Sequence, residues 1–166
     1  MNASKILTIA VAFALLASTL MPIFGVGPVA NAAAEDETVK IGFLNPSTGP
    51  IAVYAEAFSD AAQIAIDHLN EDSTTHTFEL VEADSGCDGT QAATAAQSLI
   101  DAGVVGIAGA ACSGATLGAM EQAKAAGIPL VSYASTSPAL TSADDGGYMF
   151  RVVPSDAQQG MAMGAM

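Results

Sequence analysis

GVVGIAGAACSGATLGAMEQAKAAGIPLVSYASTSP, residues 103–138, is the stretch that decides the fold. Val104 to Ala108 is a short apolar run opened by Gly103, and Ile128 to Ser132 is another opened by Gly127. Between them Leu117, Met120 and Ala123 or Lys124 follow in helical register from Ser113. Strand, helix and strand with connections this short call for parallel strands and a right-handed crossover. Two polar loops, Cys112-Ser113 and Ala134-Ser135-Thr136, then fall just past the carboxyl ends of the two strands.

The same alternation extends on both sides. Val39 to Leu44 reads as a buried first strand, and Asn45 to Pro50 as a turn-rich loop. After Tyr54 a helix is expected with Phe58, Ala62, Ala65 and Leu69 on one stripe and Asp60, Gln63 and Asp67 opposite. Phe78 to Ala83 is the second strand. Asp88 suits a helix N-cap, and Ala92 to Ala102 is a helix ended by Gly103. Pro138 to Leu140 reads as a single turn, Tyr148 to Val153 as a fifth strand stopped by Pro154, and Ser155 onward as a beginning helix. The fold class is α/β, a doubly wound parallel sheet. Ligands in such sheets sit beyond the carboxyl ends of the strands, which places loops 45–54, 84–88, 109–114 and 132–138 on one rim.

Charge excludes one class of partner. Lys and Arg number 4 against 17 Asp and Glu, a formal charge of −13. Nucleic acid needs clustered cations and is not an expected partner. The acidic excess reads as a solvated face or an adaptation to a saline milieu rather than a metal site. Asp84 and Asp88 flank a turn, and Asp144-Asp145-Gly146-Gly147 is a turn itself.

No charge lies between Lys5 and Glu35, and Ile6 to Leu20 is apolar apart from small residues. A lone Lys before an apolar run, then Met21-Pro22 and Ala30-Asn31-Ala32, follows the order of a signal peptide cleaved near Ala32 or Ala34. An uncleaved anchor over Ile6 to Val26 is the competing reading. Either one puts the remainder outside the cytoplasm, in the periplasm or at the cell surface. The two cysteines, Cys87 and Cys112, lie in that exported part, where disulfides persist.

Enzymatic patterns do not fit. Gly103, Gly106 and Gly109 lie in or beside a strand instead of forming a dinucleotide turn, and no Walker sequence occurs. Ser113 lacks the glycines of a nucleophile elbow, and neither His68 nor His76 is placed to activate it. No enzyme activity and no cofactor are expected. Cys87 and Cys112 each follow a strand end on the same rim, so a disulfide is the economical reading, with two free thiols as the alternative. Ser113 opens a helix, where an anion such as a carboxylate is favoured, although its hydroxyl could equally cap that helix. Ala134-Ser135-Thr136 offers carbonyls and hydroxyls to an ammonium group, or is an ordinary turn before Pro138. No cation is expected on that rim, so neutral dipoles would hold a zwitterion.

Ile41-Gly42, Gly49-Pro50 followed by Tyr54, Asp84 to Asp88 around Cys87, Gly109 to Ser113 around Cys112, and Ala134 to Thr141 occur in that order. In this the chain resembles the leucine/isoleucine/valine-binding family of type I periplasmic binding proteins, over roughly Val39 to Gly160. The resemblance implies a two-lobed, hinge-closing receptor that delivers a branched-chain or related amino acid to a membrane ABC permease. It implies that Ser113, Ala134, Ser135 and Thr136 hold the ligand's carboxylate and ammonium, that Tyr54 lies against its side chain, and that Cys87 and Cys112 form the family disulfide. Residues 1–34 would then be the signal peptide or anchor, 35–153 the first lobe, and 154–166 the crossing and start of a truncated second lobe. Members of the family are much longer than this chain. Their second lobe supplies an acidic partner for the ammonium, for which no replacement is expected here, so weak binding or none follows for this chain alone. A sensory-receptor ectodomain and an amide- or urea-binding transport receptor are the alternatives that the same fold allows.

Overall fold

A computed structural model describes residues 37–166. The signal-peptide reading falls outside the described residues. Five parallel strands form one sheet in the order β2-β1-β3-β4-β5. β1 (Glu37–Asn45) pairs with β2 (His76–Asp84) in unbroken register, from Glu37 opposite His76 to Asn45 opposite Asp84. β3 (Gly106–Ala108), β4 (Leu130–Ser132) and β5 (Met149–Arg151) complete the sheet with three residues each. The first two strands outrun their apolar stretches, because backbone pairing continues into exposed Glu37 and His76 without needing buried side chains.

The order of the strands locates the site. β1 leads through a 3-10 turn (Ala52–Tyr54) and helix α1 (Ala55–Asp72) to β2 on one side, whereas β2 leads through helix α2 (Gly89–Asp101) back across β1 to β3. The chain therefore reverses direction between β1 and β3, and the loops leaving those strands diverge into a crevice at their carboxyl ends.

One sheet face carries the core. Leu44, Ile107, Leu130 and Met149 are buried there against α2 and helix α3 (Ser113–Ala126). The helices meet through small residues, Ala92, Ala96, Ala115 and Ala119, all wholly buried. This explains an alanine-rich composition with few large side chains. The closest approach is at Gly118, where a Cβ would stand 2.0 Å from the backbone oxygen of Gly89. α3 ends as the sequence predicts, on Gly127 in the left-handed conformation at φ 68°.

The opposite face is covered by α1 over β1 and β2, and here the expected stripe is corrected. Phe58, Ala62 and Ile66 turn inward, while Ala65 and Leu69 are exposed, Leu69 at 45%. Steps of four residues form a ridge inclined to the helix axis. Packing along that ridge brings Ile66 onto the sheet and leaves Leu69 outside it. Val131 and Phe150 on the same face remain exposed. After helix α4 (Ala139–Ser142) and β5, the chain ends its described course in helix α5 (Asp156–Gly164), which buries no residue.

Gly118→Ala should lower stability by about 1–3 kcal/mol, since the new methyl meets backbone rather than a flexible side chain. The midpoint of urea unfolding measures this. An unchanged midpoint would mean that α2 and α3 are not in contact at this point.

Candidate functional site

The rim is assembled from loops that the core helices and strands hold at fixed spacing. Cys87 and Cys112 are joined in a disulfide with their Cα atoms 5.2 Å apart, tying the loop after β2 to the loop after β3. The free-thiol alternative is thereby removed. With the cysteines 25 positions apart in sequence, the bridge stabilises by about 3–4 kcal/mol in the chain-entropy account.

Beneath the rim a set of buried hydroxyls locks the loop after β3 to the loop after β4. Ser135 Oγ and Thr116 Oγ1 are 2.7 Å apart, and Ser135 Oγ also lies 3.2 Å from the carbonyls of Ala110 and Ala111. Ser132 Oγ donates to Ala110 O at 2.7 Å and accepts from Ser135 N at 3.0 Å. Thr116 Oγ1 accepts from Ala110 N at 3.2 Å. Ser132, Ser135 and Thr116 are all buried. Such a network is stable because every member finds a partner; inside the protein, one missing hydroxyl leaves others unsatisfied. Ser135 was expected to offer its hydroxyl to a ligand. Its side chain is instead committed to the protein interior.

Ser113 and Thr136 stand on top of this lock and have opposite hydrogen-bonding character. Ser113 is the first residue of α3, whose N-cap is Cys112, so its hydroxyl does not cap the helix. Its Oγ accepts from Ser137 N at 3.2 Å, which leaves its own proton for an outside acceptor. The first N–H groups of α3 have no intrahelical acceptor and no side-chain cap, and they add donors at the same place. Thr136 is the reverse case. Its Oγ1 donates to Asp156 Oδ2 at 3.0 Å, so its remaining capacity is as an acceptor. Ala134 is exposed beside it, and its carbonyl accepts no hydrogen bond from the described residues.

Two side chains that the sequence did not point to hold this loop. Asp156, at the start of α5, is bonded twice to Thr136, through its carboxylate and through its N–H to Thr136 O at 2.9 Å. An acid therefore lies beside the loop, bonded to Thr136. Arg151, on β5, reaches back to donate to Ser137 O at 2.9 Å, Ser135 O at 3.4 Å and Thr141 Oγ1. The guanidinium is occupied by these three acceptors and fixes the loop from the side of β5.

The far wall of the crevice is aromatic. Tyr54, 56% exposed at the end of the 3-10 turn, contacts Phe58 with ring centroids 6.1 Å apart. Phe58 contacts Tyr133 at 5.3 Å, and Tyr133 stacks on Phe43 at 5.6 Å. Burial pushes the Tyr133 hydroxyl well above its ordinary range, with the Glu82 carboxylate adding to the effect, so it remains a donor to Leu44 O at 3.3 Å. The loop before Tyr54 is held by Asp84. Its carboxylate accepts from Thr48 N, Thr48 Oγ1, Gly86 N and Gln91 Nε2 at 2.6–3.1 Å. Burial alone would raise the pKa of this group, but the bonds from Thr48, Gly86 and Gln91 outweigh it and hold the carboxyl below its ordinary pKa of 3.8.

His68 and His76 are exposed on and after α1, away from the rim loops. Among the described residues no group of three or more His, Cys, Asp or Glu could hold a metal ion, and no helix is long and apolar enough to cross a membrane. The described residues thus form a parallel α/β lobe with hydrogen-bond donors and acceptors segregated on one rim. The family model described as periplasmic binding protein matches residues 38–166, and the chain belongs to that family.

Individual relatives share the relationship. The leucine-, isoleucine-, valine-, threonine- and alanine-binding protein of Pseudomonas aeruginosa is 29% identical over 151 residues, 89% of this chain and 40% of that protein. The crystal structure of the branched-chain amino acid transporter substrate binding protein LivJ from Streptococcus pneumoniae, in complex with isoleucine, aligns with TM-score 0.66 at 33% identity. It covers 72% of this chain and 35% of that one. The leucine binding protein LivK of Thermotoga maritima aligns with TM-score 0.64 at 34% identity, covering 75% and 35%. The chain thus spans about 35–40% of the length of these relatives.

Two outcomes test the geometry. Ser135→Ala should destabilise by about 1–3 kcal/mol in chemical denaturation, because Thr116 and the Ala110 and Ala111 carbonyls lose a buried partner. For Asp84 the sign is set by its depressed pKa: the folded protein holds the proton less tightly than the unfolded chain, so the contribution is complete above the ordinary value of 3.8 and fades as pH falls through the lower, folded value. Asp84→Asn should therefore be less stable than the parent at pH 7, with the gap closing toward pH 2 (about five pH units lower). A pH-independent gap would contradict this role.

Proposed function

We propose that this chain is the first lobe of an extracytoplasmic receptor that binds a zwitterionic amino acid, a branched-chain or related one, and presents it to a membrane ABC permease. The observation that carries the reading is the opposed polarity of Ser113 and Thr136 on adjoining loops. Donors at Ser113 and the α3 N-terminus suit the carboxylate. The acceptors at Ala134 and Thr136 suit the ammonium, and Tyr54 with Phe58 forms an aromatic wall for the side chain. The relatives support the ligand class, being proteins named for binding branched-chain amino acids, and they are binding proteins rather than enzymes. In this reading residues 35–153 form the lobe, the stretch from Val153 to Asp156 begins the crossing toward a second lobe, and residues 1–34 are the export signal.

Ser135 enters the site only by holding its neighbours, since its own hydroxyl is buried. Closure of two lobes would bury the open rim and exclude water, which strengthens each of these polar contacts.

Isothermal titration of the full gene product against a panel of amino acids tests the reading. Heat with leucine, isoleucine or valine is the expected outcome, and Thr136→Val should weaken binding by about 1–3 kcal/mol. No heat with any aliphatic amino acid, combined with heat from an amide or urea, would replace the amino acid by that ligand class. N-terminal sequencing of the secreted protein should begin near Glu35; a retained Met1 would contradict the cleaved signal.

A further inference from the structure

We propose that Asp156 is a positioning residue that sets the hydrogen-bond polarity of Thr136 and so makes the site discriminate an amino ligand from its hydroxy counterpart. The inference rests on the amino-acid reading above and goes beyond it, because it assigns the selectivity to a residue outside the rim loops.

A threonine hydroxyl can donate or accept and rotates to suit whatever approaches it. Left to itself, Thr136 would accept from an ammonium or donate to a hydroxyl oxygen with similar ease. Asp156 removes that freedom. Its ionised carboxylate has no proton to give, so the only bond possible between the two groups at 3.0 Å has Thr136 donating. The second bond, from Asp156 N to Thr136 O at 2.9 Å, holds the two backbones together and so keeps the carboxylate within reach of the hydroxyl. Thr136 Oγ1 is left with lone pairs alone for the ligand. A positively charged N–H donor satisfies them. A hydroxyl in the same place offers one proton and no charge, and the nearby carboxylate adds attraction only for the cation.

Asp156 begins α5, on the segment that follows β5, and lies 20 residues from Thr136 in sequence. Its side chain is exposed, so replacing it opens no cavity. Ser155 supplies the N-cap of α5 by accepting from Ala157 N at 3.3 Å, and that cap is untouched by a change at 156.

The test compares leucine with 2-hydroxy-4-methylpentanoate, which differs only in carrying a hydroxyl where leucine has its ammonium. Both are titrated against the full gene product as the parent, Asp156→Ala and Asp156→Glu. The parent should prefer leucine, and Asp156→Ala should shrink the ratio of the two dissociation constants by about tenfold or more, the change expected on losing a charge-assisted contact. Asp156→Glu, which restores an acceptor carboxylate, should recover part of the ratio. A residue that merely braced the loop would weaken both ligands by the same factor; an unchanged ratio overturns the proposal. A double-mutant cycle of Thr136→Val with Asp156→Ala, read as ligand-free thermal midpoints, decides the underlying bond separately. Non-additive shifts support it, and additive shifts overturn it. Should the parent bind neither ligand, the amino-acid reading falls, while the cycle still decides whether Asp156 holds Thr136.

Discussion

The site depends on the buried bond between Ser135 Oγ and Thr116 Oγ1 and the hydroxyl cluster around it. Through it, two loops that leave different strands become one rigid surface. Thr116 belongs to the first turn of the helix that Ser113 opens, and Ser135 is next to Thr136. Fixing the buried pair therefore fixes the exposed pair above it. The disulfide adds the loop after β2 to the same body, and Arg151 secures the loop after β4 from the side of β5. All of these contacts are made between groups of the protein itself, and together they order the rim. Preorganisation of this kind spares a ligand the ordering of the groups that bind it.

The core has an unusual way of making that surface possible. Small residues at the α2–α3 contact bring the helices within backbone reach, as Gly118 against Gly89 shows. This sets the place where α3 begins, and hence where its unsatisfied N–H groups point. A larger residue at the contact would displace the N-terminus of α3 together with Ser113. Packing and recognition are in this sense the same constraint, read at two ends of one helix.

Much of the fold was legible because its signals are local. Gly103 and Gly127 mark the ends of α2 and α3, Asp88 caps α2 by accepting from Thr90 N and Gln91 N, and the apolar runs between them give the five strands. The pairing of Cys87 with Cys112 was legible because both follow strand ends on one rim. The parts that escaped are those in which sequence-distant groups meet. Nothing near Thr136 announces Asp156, and Arg151 looks like an ordinary strand residue until its side chain is seen to reach Ser137. Ser135 and Thr136 are equivalent in a sequence, both being small hydroxyl residues before a proline, yet one is buried and the other faces the rim. On α1, periodicity favoured Leu69, whereas the inclination of the helix on the sheet selected Ile66.

In the proposed function the rim recognises both charged ends of a zwitterion, the carboxylate at Ser113 and the ammonium at Thr136. Calorimetric titration of the full gene product with leucine, 4-methylpentanoate and 3-methylbutylamine separates the two ends, since each analogue lacks one of them. Loss of about a hundredfold or more in affinity for both analogues is the predicted result, from two charge-assisted contacts at each end. Binding of either analogue within about tenfold of leucine, the margin of a single hydrogen bond, would contradict it.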